Sequence, residues 1–225
     1  MAAAFPTTRR SVIRNVASED GRLRREAWNL MVAAYWMPAR KYVRLKWRAS
    51  EHDAEDLVQA FFARAVEKEF FGDYDSGRSS FRTYLRMCLD RFIANERKAA
   101  GRLKRGGGVE FVYDAQPAGG ESPEDVFHRE WVRQLFTLAV DRLRAECAGR
   151  GKQTQFAVFE RYDLEGGERP TYAQVAAEVG ITVTDATNYL AAMRRRLRQM
   201  VLEELRNLTG SEREFRQEAR AVLGL

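Results

Sequence analysis

Three groups of side chains in this 225-residue chain have types and spacing suited to chemistry, and all three suit binding rather than bond-making. The first is an acidic run, Asp53, Glu55 and Asp56, followed by Gln59. A helix would gather these in its first turns, where carboxylates complement the helix dipole. The second is Tyr74, Arg78, Ser80, Phe81 and Arg82, a mixture of aromatic, hydroxyl and cationic groups. An unstacked base can be held by such a pocket, with stacking worth ~1–3 kcal/mol per base. Arg86, Arg91, Asn95, Arg97 and Lys98 follow at positions that alternate with apolar residues, and then come Arg102, Lys104 and Arg105. The last three suit phosphate, a sequence-blind role that weakens steeply with salt. The stretch 53–105 therefore opens anionic and closes cationic, with one end for a protein and the other for DNA.

The third group lies in a helix-turn-helix pattern. Thr171 and Gln174 make a capping box, Tyr172, Val175, Ala176 and Val179 point inward, Gly180 allows a tight turn, and Thr182 caps a second helix carrying Val183, Ala186, Leu190, Met193 and Leu197. The first turns of such a second helix enter the major groove. That brings Thr184, Asp185, Thr187 and Asn188 to base edges, with Asn188 suited to bidentate pairing with adenine. Arg194, Arg195, Arg196 and Arg198 form its cationic end, and only some of them can face DNA.

Other chemistry finds little support. His52 and His128 are the only histidines and Cys88 and Cys147 the only cysteines, so the tetrahedral Cys/His sets of structural zinc cannot be assembled within this chain. The acidic run has no second carboxylate cluster at metal-binding spacing, and no phosphate-cradling glycine loop of the P-loop type is present. No cofactor, metal or catalytic residue is expected. Two distant cysteines draw no disulfide framework, which fits a reducing cytoplasm. The excess of 38 Lys and Arg over 32 Asp and Glu gives +6, so its placement matters more than its size. MAAAFPTTRR lacks the apolar core of a signal peptide, and the longest apolar run, 31–39, is too short for a bilayer, so neither export nor membrane insertion is expected.

The elements that must position these groups read as helices throughout. Leu23, Ala27, Leu30, Met31, Ala34 and Tyr35 recur at helical spacing in a segment that Pro38 either bends or divides. Leu57, Val58, Phe61, Phe62, Ala65 and Val66 stripe the next helix. Phe81, Tyr84, Leu85, Cys88, Leu89 and Phe92 form the buried face of another, which Ser79 or Ser80 caps after a turn rich in Gly and Asp. The glycines of 106–121 read as a tether, and Pro123 starts a helix with Phe127, Trp131, Leu135 and Leu138. The expected architecture is all-α. A helical domain spans 1–105, a Gly-rich linker 106–122, a helix-turn-helix domain 123–205, and a short helical tail 206–225.

These motifs, in this order, resemble the sigma factors of bacterial RNA polymerase of the extracytoplasmic-function (ECF) type. DAEDLVQAFFARAV is similar to the family's polymerase-binding helix, GRSSFRTYLRMCLDRFIANERKAAGRLKRGGG to its minus-ten-reading segment, and YAQVAAEVGITVTDATNYLAAMRRRLR to its minus-thirty-five-reading module. FPTTRRS and SPEDVFHREW resemble one subgroup. The resemblance implies that Asp53, Glu55, Asp56 and Gln59 face core RNA polymerase, with the adjacent Phe61 or Phe62 as an apolar anchor. It implies that Arg78, Ser80, Phe81, Arg82, Arg86, Arg91, Asn95, Arg97, Lys98, Arg102, Lys104 and Arg105 meet minus-ten DNA, where the loop captures a flipped base and melting begins. It also implies that Thr182, Thr184, Asp185, Thr187, Asn188, Arg194 and Arg195 meet the minus-thirty-five element. An anti-sigma protein or other regulator is a further partner the family implies. The alternative is a helix-turn-helix repressor or activator that acts without joining the polymerase.

Overall fold

Each long helix begins where a short polar side chain replaces the missing backbone partner of its first turn. Asp20 accepts from the amides of Arg22 (2.8 Å) and Leu23 (3.2 Å) to start the second helix, and Ser50 accepts from Asp53 (3.1 Å) to start the third. Ser80 accepts from Thr83 (3.3 Å), and Thr182 from Asp185 (3.0 Å). The computed structural model describes residues 12–16, 18–104 and 120–224, without the side chains of Val12, Arg14 and 101–104. Among them every regular element is a helix: α1 (Val12–Asn15), α2 (Gly21–Lys46), α3 (Glu51–Glu67), α4 (Phe81–Lys104), α5 (Pro123–Gly149), α6 (Gln153–Phe159), α7 (Tyr172–Val179), α8 (Val183–Asn207) and α9 (Glu212–Leu223). A π-helical turn, Glu160–Leu164, follows α6 directly. The fold is all-α. Helix α2 runs unbroken through the buried Pro38, which resolves the choice between one helix and two.

Packing divides the chain into two compact units, residues 1–134 with 206–225, and residues 135–205. These limits differ from those drawn on composition. The start of α5 and the C-terminal segment pack with the first unit, and the sequence-read linker lies largely outside the described residues, at 105–119.

The first unit is built around aromatic rings. Tyr35 of α2, fully buried, meets Phe81 edge-on at 5.8 Å and stacks near Phe127 (6.4 Å) and Trp131 (6.3 Å) of α5. Phe61 of α3 meets Phe62, Phe71 and Phe92, and Phe71 meets Phe81 at 5.3 Å. Offset and edge-to-face pairs of this kind add ~0.5–1.5 kcal/mol each beyond area burial. Leu85, Leu89 and Ile93 complete the inner face of α4. In the second unit, Phe156, Phe159, Leu143, Val175, Ala176, Leu190 and Met193 form the core on which α7 and α8 rest.

Candidate nucleic-acid and protein interfaces

Asp53, Glu55, Asp56 and Gln59 all lie exposed on α3, because Ala54, Val58, Phe61 and Ala65 take its inner face. Asp53 accepts the Ser50 hydroxyl (2.7 Å), Glu55 lies 3.6 Å from Arg40, and Asp56 lies 3.6 Å from His52. Beside this acidic shoulder a cleft of about 470 Å³ opens, lined by Asp53, Asp56 and Leu57 of α3 and by Arg48, Glu96 and Arg97. Its lining mixes these charged groups with the apolar Ala49, Leu57 and Ala60. Phe62 does not belong to that surface. It is 5 % exposed and stacks on Trp36 at 6.1 Å, so the anchor expected there is part of the core. The 3.6-residue period cannot separate the two uses, since Phe61 and Phe62 fall on adjacent edges of one broad apolar stripe.

The loop before α4 is occupied by its own protein. Phe81, which the sequence left open between core residue and base contact, is fully buried between Tyr35, Phe71 and Tyr74, and in this conformation its ring offers no face to a ligand. Arg82 lies over the Trp131 ring at 4.9 Å and 3.2 Å from Glu218. Ser80 serves as a cap and bonds Thr83, and Tyr74 donates its hydroxyl to Glu214 (2.7 Å). Arg78 alone of the five is exposed with a side chain that has no partner among the described residues. Glu214 and Glu218 are contacts that sequence reasoning missed. Ser211 at capping distance from Glu214 could have located the start of α9, but nothing local indicates where its carboxylates point.

Along α4 the expected DNA face separates into engaged and free groups. Arg86 pairs with Glu124 (2.9 Å), and Arg97 lies over Trp47 and donates to its carbonyl (2.5 Å). Arg91, Asn95 and Lys98 are exposed and without partners among the described residues, and their i, i+4, i+7 spacing aligns them in one stripe about 10 Å long. The side chains of Arg102, Lys104 and Arg105 lie outside the described residues.

The second unit carries α7 and α8, the two helices read from the sequence as a helix-turn-helix. The Thr171 hydroxyl accepts from the Gln174 amide (3.2 Å) while the Gln174 side chain accepts from the Thr171 amide (2.7 Å), and Gly180 takes the left-handed φ of 72° that ends α7. Thr182, Thr184, Thr187 and Asn188 are exposed at the start of α8. Asp185 accepts the Thr182 hydroxyl (2.7 Å), so this carboxylate is committed to the cap. Arg194 is also committed: it donates twice to Asp163 (2.7 and 2.8 Å) beside the Tyr162 ring. Burial pushes the Asp163 carboxyl up, but Arg194 and Arg169 outweigh it and hold the group below the ordinary range. Arg196 is taken by Glu146, whereas Arg195 is exposed with no partner among the described residues. Thr184, Asn188 and Arg195 share one outer face of α8 by their i, i+4, i+11 spacing.

Among the described residues no group of three or more His, Cys, Asp or Glu could hold a metal ion, and no helix is long and apolar enough to cross a membrane. No curated protein and no solved structure matches the chain. Residues 33–103, from within α2 through the acidic shoulder and the loop into the last turn of α4, match the family model for Sigma-70 region 2.

Proposed function

We propose that this protein is an ECF-type sigma factor that binds core RNA polymerase through the acidic shoulder of α3 and its cleft. The match of residues 33–103 to Sigma-70 region 2 carries this reading. Arg78, Arg91, Asn95 and Lys98 supply the open surface for minus-ten DNA, with Arg102, Lys104 and Arg105 as phosphate contacts. The charge-free readers Thr184, Thr187 and Asn188, flanked by Arg195, take the minus-thirty-five element. Melting begins when an unstacked base enters the loop before α4, and its energy comes from binding. The exposure of both polar stripes supports this division, with Arg91, Asn95, Lys98, Thr184, Asn188 and Arg195 making no side-chain hydrogen bond or ion pair among the described residues, while the Thr187 hydroxyl donates to the Val183 carbonyl (2.9 Å). Transcription in vitro with core polymerase on a genomic library tests it. Specific start sites that depend on this protein are the expected result; tight binding to a duplex without any association with core enzyme would instead favour the polymerase-independent regulator.

A further inference from the structure

We infer that helix α9 is an intramolecular shield over the strand-engaging loop, and that its carboxylates occupy the donors a single-stranded DNA segment would use. The inference rests on the reading of the loop before α4 as the element that captures DNA. Glu214 is the centre of the contact. Its carboxylate accepts from the Phe81 amide (2.6 Å), the Gly210 amide (2.6 Å) and the Tyr74 hydroxyl (2.7 Å), and is buried. One turn later the buried Glu218 lies 3.2 Å from Arg82. An amide at a helix N-terminus, a tyrosyl hydroxyl and a guanidinium form the donor set that binds phosphate and base acceptors. At this contact one Arg82 nitrogen is buried with no hydrogen-bond partner, and so is Oε2 of Glu218 on α9 itself. The contact between α9 and this surface is therefore polar but incompletely satisfied on both sides.

The way α9 is held suits release. Of its side chains, Glu214, Glu218 and Ala219 are buried, while Phe215, Val222 and Leu223 stay half-exposed. Apolar burial contributes little to this docking, and buried carboxylate pairs nearly break even against their desolvation. The approach is also close. A Cβ at Gly210 would stand 2.6 Å from a ring carbon of Tyr74 and 3.3 Å from the Ser76 Cβ, so only glycine lets the chain pass there. Shielding by the two buried carboxylates of α9 keeps the loop from engaging DNA until a competing partner displaces them.

The test uses the full-length protein and a fluorescein-labelled single-stranded oligodeoxynucleotide of mixed sequence, followed by anisotropy in the presence and absence of core RNA polymerase. Gly210→Ala loosens α9 without changing charge, and Glu214→Ala removes the three-way acceptor. Glu212→Ala, at an exposed position of the same helix, controls for the loss of one negative charge. Both loosened variants should bind at least fivefold tighter than the unaltered protein, the control within twofold of it, and Arg82→Ala should remove the gain. Hydrogen exchange at the Phe81 amide should accelerate at least tenfold in Glu214→Ala, a readout that holds if Gly210→Ala does not fold. If the loosened variants bind no more tightly, while Arg91→Ala weakens the unaltered protein, the shield is refuted and the DNA-binding role of α4 survives. Absence of single-strand binding by every variant, with or without polymerase, would refute the reading of the loop and the shield together.

Discussion

Truncating Phe81 to alanine decides whether this side chain belongs to the core or to a ligand site. The ring is fully buried and meets Tyr35 at 5.8 Å, Phe71 at 5.3 Å and Tyr74 at 5.1 Å, all edge-on. Removing a buried phenyl ring forfeits its transfer energy and leaves a cavity, together about 3–5 kcal/mol. The three ring contacts place the cost at the upper end of that range, since each edge-to-face pair contributes ~0.5–1.5 kcal/mol of its own. Phe81→Leu, which retains most of the volume, should cost about 1–1.5 kcal/mol. All four tryptophans, Trp28, Trp36, Trp47 and Trp131, lie in the first compact unit, so tryptophan fluorescence during urea denaturation reports that unit alone. With a denaturant slope of ~2 kcal/mol per molar, the Phe81→Ala midpoint should fall by about 2 M. A loss under about 1 kcal/mol, together with loss of single-strand DNA binding, would show that the ring is a base platform and that the packing argument is wrong.

Asp163→Ala should destabilise the second unit by ~1–2 kcal/mol in thermal or urea unfolding followed by circular dichroism, a figure discounted because Arg194 is partly exposed. Because the folded Asp163 is held below its ordinary value of 3.8, its contribution should be present above that value and be lost as pH falls through the lower folded value; a stability difference between wild type and variant that persists unchanged to pH 2 would contradict the pairing. Asn188→Ala should reduce discrimination at one base pair by ~1–3 kcal/mol in competition binding, while Arg195→Ala should weaken all sequences alike and flatten the salt dependence by about one phosphate contact. A uniform loss for Asn188→Ala would reassign it to the DNA backbone. Asp56→Arg should lower the affinity for core polymerase and leave circular dichroism intact, and unchanged association would remove Asp56 from that interface.

Local chemistry was legible in the sequence wherever the partners sit within about four residues. The Thr171 and Gln174 box, the Gly180 turn and the Thr182 cap are such features, and so is the exposed acidic first turn of α3, because capping and helical period are short-range effects. The stripe of Arg91, Asn95 and Lys98 could be inferred in the same way, from its alternation with Leu89, Phe92 and Ile93. Tertiary structure alone decided which members of these sets remain open. Phe81 is enclosed by Tyr35, 46 positions away, and its amide is bound by Glu214, 133 residues later. Arg194 finds Asp163 31 residues back, and Phe62 finds Trp36 on another helix. An arginine or phenylalanine has the same periodicity whether its partner is DNA, a second protein or a distant carboxylate. Only the folded chain brings those competing partners within hydrogen-bonding or van der Waals reach, and their proximity determines which side chains are left for a ligand.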